Sequence, residues 1–156
     1  IPGYRVFLVD TKNDDVQDQY LLLGGHINQW KVFYRDHSFH ILGKYDHHWS
    51  EGLQYIHYKV LTIHSDGNTV TFTISEMAEA LWLILEEDNC SNRKEYLQQH
   101  NVNKLSEIYS HHIIDINRDG YDDVVFRMFE EDCKTLQQTE YNLVYLQQAD
   151  GFVLKE

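Results

Sequence analysis

The sequence predicts an α+β fold that is mainly β: an antiparallel sheet assembly, sandwich or propeller-like, with a helical insert in mid-chain. Three observations carry this. Eleven tyrosines and a single proline among 156 residues suit amphipathic strands better than a helical bundle. Runs of alternating apolar and polar residues are separated by Asp, Asn and Gly, the residues of tight turns. One central stretch instead repeats its apolar residues at helical spacing. With 42% hydrophobic residues, the chain is long enough for one domain, residues 1–156, with a sizeable core.

The elements follow in order. Tyr4 to Val9 alternates imperfectly and reads as a first strand, followed by a polar loop. Tyr20 to Leu23, Asn28 to Tyr34 and Ser38 to Leu42 read as short strands, separated by Gly24-Gly25 and Arg35-Asp36-His37. Leu53 to His64 is the clearest strand; it turns at Ser65-Asp66-Gly67-Asn68 and returns through Thr69 to Ile74. Apolar residues on both of its faces make it a central strand. Thr73 and Glu76 then form a capping box, and Met77, Ala80, Leu81, Ile84 and Leu85 continue as a helix, although the run Leu81 to Leu85 also fits a strand. Asn89 to Asn92 breaks that element, a polar helix covers Arg93 to Gln99, and Leu105 to Tyr109 adds a further helical turn. His111 to Ile114 leads into the next loop, Val124 to Phe129 is a strand, and Tyr141 to Leu146 pairs with Phe152-Val153 around Ala149-Asp150-Gly151.

The loop between these last groups is the most informative stretch. Asp115, Asn117 and Asp119 place oxygen-bearing side chains at alternate positions before Gly120, and the Tyr121 carbonyl and Asp123 carboxylate can complete a ring of oxygens. A hard divalent cation such as Ca2+ takes six to eight oxygens at about 2.3–2.6 Å, and a chain supplies them in succession only by curling around the ion. Asp122 points outward in this scheme. The competing reading is an Asx-rich surface turn without metal. The loop is not an EF-hand: Phe126 stands where the bidentate glutamate belongs, and a strand follows rather than a helix.

This D-x-N-x-D-G-x-x-D loop feeding an apolar strand resembles the calcium loops of FG-GAP and related β-propeller repeats. Together with the aromatic strand and terminal Gly-Phe-Val, the C-terminal third resembles small bacterial periplasmic proteins, among them immunity proteins of antibacterial secretion systems and relatives of calcium-dependent lysozyme inhibitors. That resemblance implies a calcium-stabilised binding protein. The loop occurs once, so the chain has length for one compact sheet assembly rather than several blades.

A net charge of -12 argues against nucleic acid as a partner, because phosphate binding needs a cationic footprint, and favours a basic protein. Such a partner would be a toxin or cell-wall hydrolase; the bland alternative is that acidity serves solubility. No apolar run is long enough for a transmembrane helix. Cys90 and Cys133 are the only cysteines; they either close a disulfide, as an oxidising compartment would allow, or remain two buried thiols. The chain opens on Ile1 rather than methionine, which suits a trimmed product, and the expected location is periplasmic or otherwise extracytoplasmic.

Ten histidines include His37-x-x-His40, His47-His48 and His111-His112, but adjacent strand residues face opposite sides, so neither doublet chelates through both rings. Scattered, partly exposed histidines are expected. No H-E-x-x-H, G-x-S-x-G or phosphate-cradling loop is present. Two functions remain: an inhibitor that fills a concave site with an exposed turn, Trp30 and Trp49 being candidate anchors, or a calcium- or histidine-dependent hydrolase of the cell envelope.

Overall fold

A computed structural model describes residues 4–9, 18–23, 27–50, 52–84 and 87–156, with side chains described for 31–44, 52–71, 73–84 and 87–156. Ten strands and one helix are placed: β1 Tyr4–Val9, β2 Asp18–Leu23, β3 Ile27–Arg35, β4 Ser38–Ser50, β5 Leu53–Asp66, β6 Thr69–Leu83, α1 Lys94–Gln99, β7 Lys104–Ile114, β8 Asp123–Asp132, β9 Gln138–Gln148 and β10 Gly151–Leu154. They form a β1-β2 ribbon and two four-stranded antiparallel sheets, ordered β3-β4-β5-β6 and β10-β9-β8-β7.

Both sheets are consecutive meanders, so each pairing is closed by a short local turn. Asp36, Gly52, Gly67 and Gly151 adopt positive φ where the chain reverses. The sheets share one core. Phe33, Leu42, Tyr58, Val60, Met77 and Ala78 from the first meet Val124, Phe126 and Met128 from the second. Phe126 is fully buried, its ring centroid 4.7 Å from that of Tyr58. Each large apolar side chain removed from water in this way contributes about 1.5–3 kcal/mol, which makes this contact the main source of stability.

The helix expected from Thr73 onward is not formed: residues 69–83 are one strand paired with β5, and Leu85 lies outside the described residues. A register irregularity explains the misleading spacing. His57 stands opposite Glu79 and Lys59 opposite Glu76, so Met77 and Ala78 together face Tyr58. That bulge places two consecutive apolar residues in the core and shifts the period-two pattern by one, which imitates helical spacing. Leu105 to Tyr109 is likewise strand, within β7. Among the described residues helix is confined to α1, inside the expected Arg93 to Gln99. β4 runs to Ser50 rather than ending at Leu42, because its pairing with β5 continues through His48.

β5 is central as expected, and it is buried on both sides: Ile41, Leu61 and Ile63 form a second cluster on the face opposite Tyr58 and Val60. A third cluster, Leu53, Leu83, Cys90, Leu97, Val102 and Leu105, fills the corner where the chain leaves β6 and enters β7. The short helix contributes Leu97 to it and ends where Asn101 takes φ 57°, with the Val102 N–H returning to the Leu97 carbonyl at 2.8 Å. Cys90 and Cys133 are joined as a disulfide across 43 residues, tying this corner to the end of β8. Reduction should therefore destabilise the protein by about 4 kcal/mol, the chain-entropy value for a loop of this size, seen as a lower midpoint in urea unfolding with reductant.

Several polar side chains are buried, among them Ser38, His40, His57 and Thr62. His40 is fully buried, and its Nδ1 lies 3.0 Å from Thr62 Oγ1. Burial pushes its pKa down to about 4 from 6.5; the Gln148 backbone and Asp150 act upward and Arg35 adds to the depression. The unfolded chain thus binds the proton near the ordinary histidine value and the folded chain only near pH 4. Stability should fall as pH drops through this window, by up to about 3 kcal/mol from this group. Unfolding free energies measured between these limits should show a flatter pH dependence in His40→Asn than in the wild type.

Candidate metal centre

The acidic loop links β7 to β8, and its ends are fixed by pairing: Ile114 stands opposite Asp123 in the register of the two strands. Between them the chain reverses through Arg118 at φ 59° and Gly120 at φ 90°. A Cβ at Gly120 would meet nothing within 4 Å, so glycine is required there by backbone conformation and not by space.

The loop's side chains curl toward its own backbone. Asp115 Oδ1 accepts the Asp119 N–H at 3.1 Å and Oδ2 accepts the Gly120 N–H at 2.9 Å. Asn117 Oδ1 also faces the Asp119 N–H, at 3.4 Å, and Asn117 Nδ2 donates to Asp119 Oδ2 at 3.3 Å. Asp119 Oδ1 accepts the Tyr121 N–H at 3.0 Å. Asp115, Asn117 and Asp119 are thereby brought together around one N–H.

Asp123 has a different place. Its carboxylate is fully buried and accepts two backbone N–H groups, Ile116 at 2.8 Å and Gln147 at 2.8 Å. It therefore pins the start of the loop to the start of β8 and to β9. Asp122 is exposed, in keeping with an outward side chain, while its carbonyl accepts the Gln147 Nε2–H at 2.8 Å.

Two residues that the sequence did not single out complete the site. Gln147 bonds to both Asp122 and Asp123, and its own carbonyl accepts Arg35 Nη1 at 2.7 Å. Arg35, at the end of β3, stacks over the Tyr121 ring at 4.1 Å and lies 4.0 Å from Asp119 Oδ2. Tyr121 reaches Asp36 with its hydroxyl at 3.4 Å. The β3–β4 turn is thus held against the loop by one guanidinium. Gln147 left a faint trace: Tyr141, Leu143, Tyr145 and Gln147 share a face, so the glutamine is polar where the pattern is apolar. Arg35 left none, being 112 residues from its partner.

The donors are all oxygens, which suits a hard cation such as Ca2+ and not zinc. The carboxylate oxygens of Asp115, Asp119 and Asp123 all already hold N–H donors, so each has only its remaining lone pairs to offer a cation. Among the described residues, no group of three or more His, Cys, Asp or Glu side chains is gathered in a metal-holding arrangement.

The other candidates fall apart spatially or lie outside the described side chains. Trp30 and Trp49 belong to β3 and β4 rather than to turns, because pairing extends to Ile27 in one strand and to Ser50 in the other. Their side chains, and those of His47 and His48, lie outside the described residues. His37 and His112 are exposed and His64, His100 and His111 half-buried, in keeping with scattered, partly exposed histidines, whereas His40 and His57 are buried and depart from that expectation. Both sit on the long strands β4 and β5, whose two faces are covered by packed side chains.

Comparison with known proteins gives no match: no family model, curated protein or solved structure corresponds to this chain.

Asp123→Asn puts an amide NH2 against a backbone N–H and removes a charge-assisted acceptor. It should cost roughly 2–3 kcal/mol of unfolding free energy, whereas Asp122→Asn, at an exposed side chain, should change it by less than about 0.5 kcal/mol.

Proposed function

We propose that this chain is a calcium-stabilised binding protein of the periplasm or another extracytoplasmic space, an immunity-type inhibitor that blocks a basic antibacterial toxin or peptidoglycan hydrolase. The observation that carries this reading is the oxygen-rich loop anchored by Asp123 and Gln147 to the strands on either side. Asp115, Asn117, Asp119, the Tyr121 carbonyl and Asp123 are the residues that would hold Ca2+. The ion would supply charge compensation for the loop's carboxylates, with no step of chemistry routed through it.

Several features support the rest. We read the two sheets, joined through one shared core, as a sandwich rather than a propeller blade, a rigid platform for a binding surface. The disulfide suits an oxidising compartment, where calcium is also plentiful. The charge of -12 would steer a basic partner and accelerate encounter. No helix among the described residues is long and apolar enough to cross a membrane.

Two measurements test the proposal. Chelation of calcium should lower the melting temperature of the wild type, and Asp115→Ala should abolish that sensitivity; equal melting curves with and without chelator would contradict the metal. Capture of a basic partner with an association rate that falls as salt rises would support the inhibitor, whereas turnover of a cell-wall substrate by the protein alone would replace it with a hydrolase.

A further inference from the structure

Cations are outnumbered in this chain, 13 lysines and arginines against 25 acidic residues. Among the described residues the ion pairs engage Arg35, Arg93, Lys104 and Arg127. Lys31 and Lys44, like Lys94 and Lys134, make none there, and the two are neighbours. Lys31 stands opposite Leu42 and Lys44 opposite Gln29 in the β3–β4 register, a diagonal pair on one face of the sheet and within reach of long side chains. That face is the inner one, since Leu42 belongs to the shared core. Lys44 also stands opposite Tyr58, whose hydroxyl crosses to the second sheet and meets His111 Nδ1 at 3.2 Å.

We propose that Lys31, Lys44 and His111 form a binding site for a small oxyanion, a carboxylate or phosphate group, at the mouth between the two sheets. Lys31 is exposed, whereas Lys44 and His111 are half-buried, so solvent reaches all three. The Lys31 ammonium lies 5.7 Å from the Phe33 ring centroid, an apolar floor beneath the charge. When the Tyr58 hydroxyl donates to Nδ1, the imidazole proton resides on Nε2, and the ring presents a donor alongside two ammonium groups. Burial keeps the Tyr58 hydroxyl protonated by raising its pKa, which maintains it as that donor.

The electrostatics agree. His111 is held below the ordinary histidine pKa by burial, then by Lys44, His112 and Lys31, all of them basic groups. Gathering like charges costs free energy that an anion would recover. The ligand is small because a polyanion would meet the net charge of -12 elsewhere on the surface. It needs two or more oxygens to engage an ammonium and an imidazole together. This site is independent of the acidic loop and of any metal there.

The test is titration of the protein with inorganic phosphate and, separately, acetate at constant ionic strength, read from the His111 ring resonances. A saturable shift with a raised His111 pKa is expected, and it should be retained in Asp115→Ala, which separates this site from the calcium reading. Lys31→Gln/Lys44→Gln relieves repulsion and should fold; it should weaken binding by about tenfold or more, while Lys134→Gln on a remote exposed turn should not. Saturation by phosphate alone assigns a phosphate-bearing ligand, and saturation by both anions assigns oxyanions generally. No saturation beyond a chloride control, or equal binding by the double variant, would overturn the site.

Discussion

Burial of one face of each four-stranded sheet against the other is the constraint on which the rest of the molecule depends. Tyr58 and Val60 on β5, with Phe126 and Met128 on β8, are nearly or fully removed from water, and each belongs to a strand with hydrogen-bonded neighbours on both sides. The consequence is a low-dielectric interior in which a buried charge must be paired or neutralised. His40 shows the force of that requirement: it is satisfied at Nδ1 by Thr62 and is driven toward its neutral form. The bulge at Met77 and Ala78 shows another, since β6 keeps its pairing with β5 only by placing two consecutive residues opposite Tyr58.

The acidic loop inherits its rigidity from this core. Asp123 is buried at the rim, and its two accepted N–H bonds join the loop, β8 and β9 in a single polar junction. Gln147 relays the junction to Arg35, which belongs to the other sheet. The loop is therefore supported from both sheets, and its carboxylates are arranged by backbone N–H groups instead of by one another. The counterpart is the pair Lys31 and Lys44, located toward the opposite end of the β3–β4 pairing from the Asp36–His37 turn that holds the loop.

Much of the sheet was legible because meanders make local pairings. The hairpin of Leu53 to His64 with its Gly67 turn, and the terminal hairpin around Gly151, follow from alternation and turn chemistry alone. The segment from Thr73 was not legible as strand, because a bulge erases the period that alternation reads. The same happens at Tyr109, which has no partner in the β7–β8 register. The loop's curl around Gly120 could be read from Asp, Asn and Gly spacing, yet the roles within it could not. Sequence spacing treats Asp115 and Asp123 alike, whereas the fold leaves one partly exposed and buries the other. Arg35 and Gln147 were invisible for the general reason that long-range polar partners carry no periodic signature.

The central claim is that the loop from Asp115 to Asp123 is a cation site wired into both sheets, and a calcium titration followed by heteronuclear NMR tests it most directly. The account predicts saturable shifts concentrated on the backbone amides of residues 116–121, extending to the Gln147 amide and the Arg35 guanidinium through the bonds that connect them. Shifts that fail to saturate, or that spread evenly over exposed carboxylates while the loop amides stay still, would contradict it.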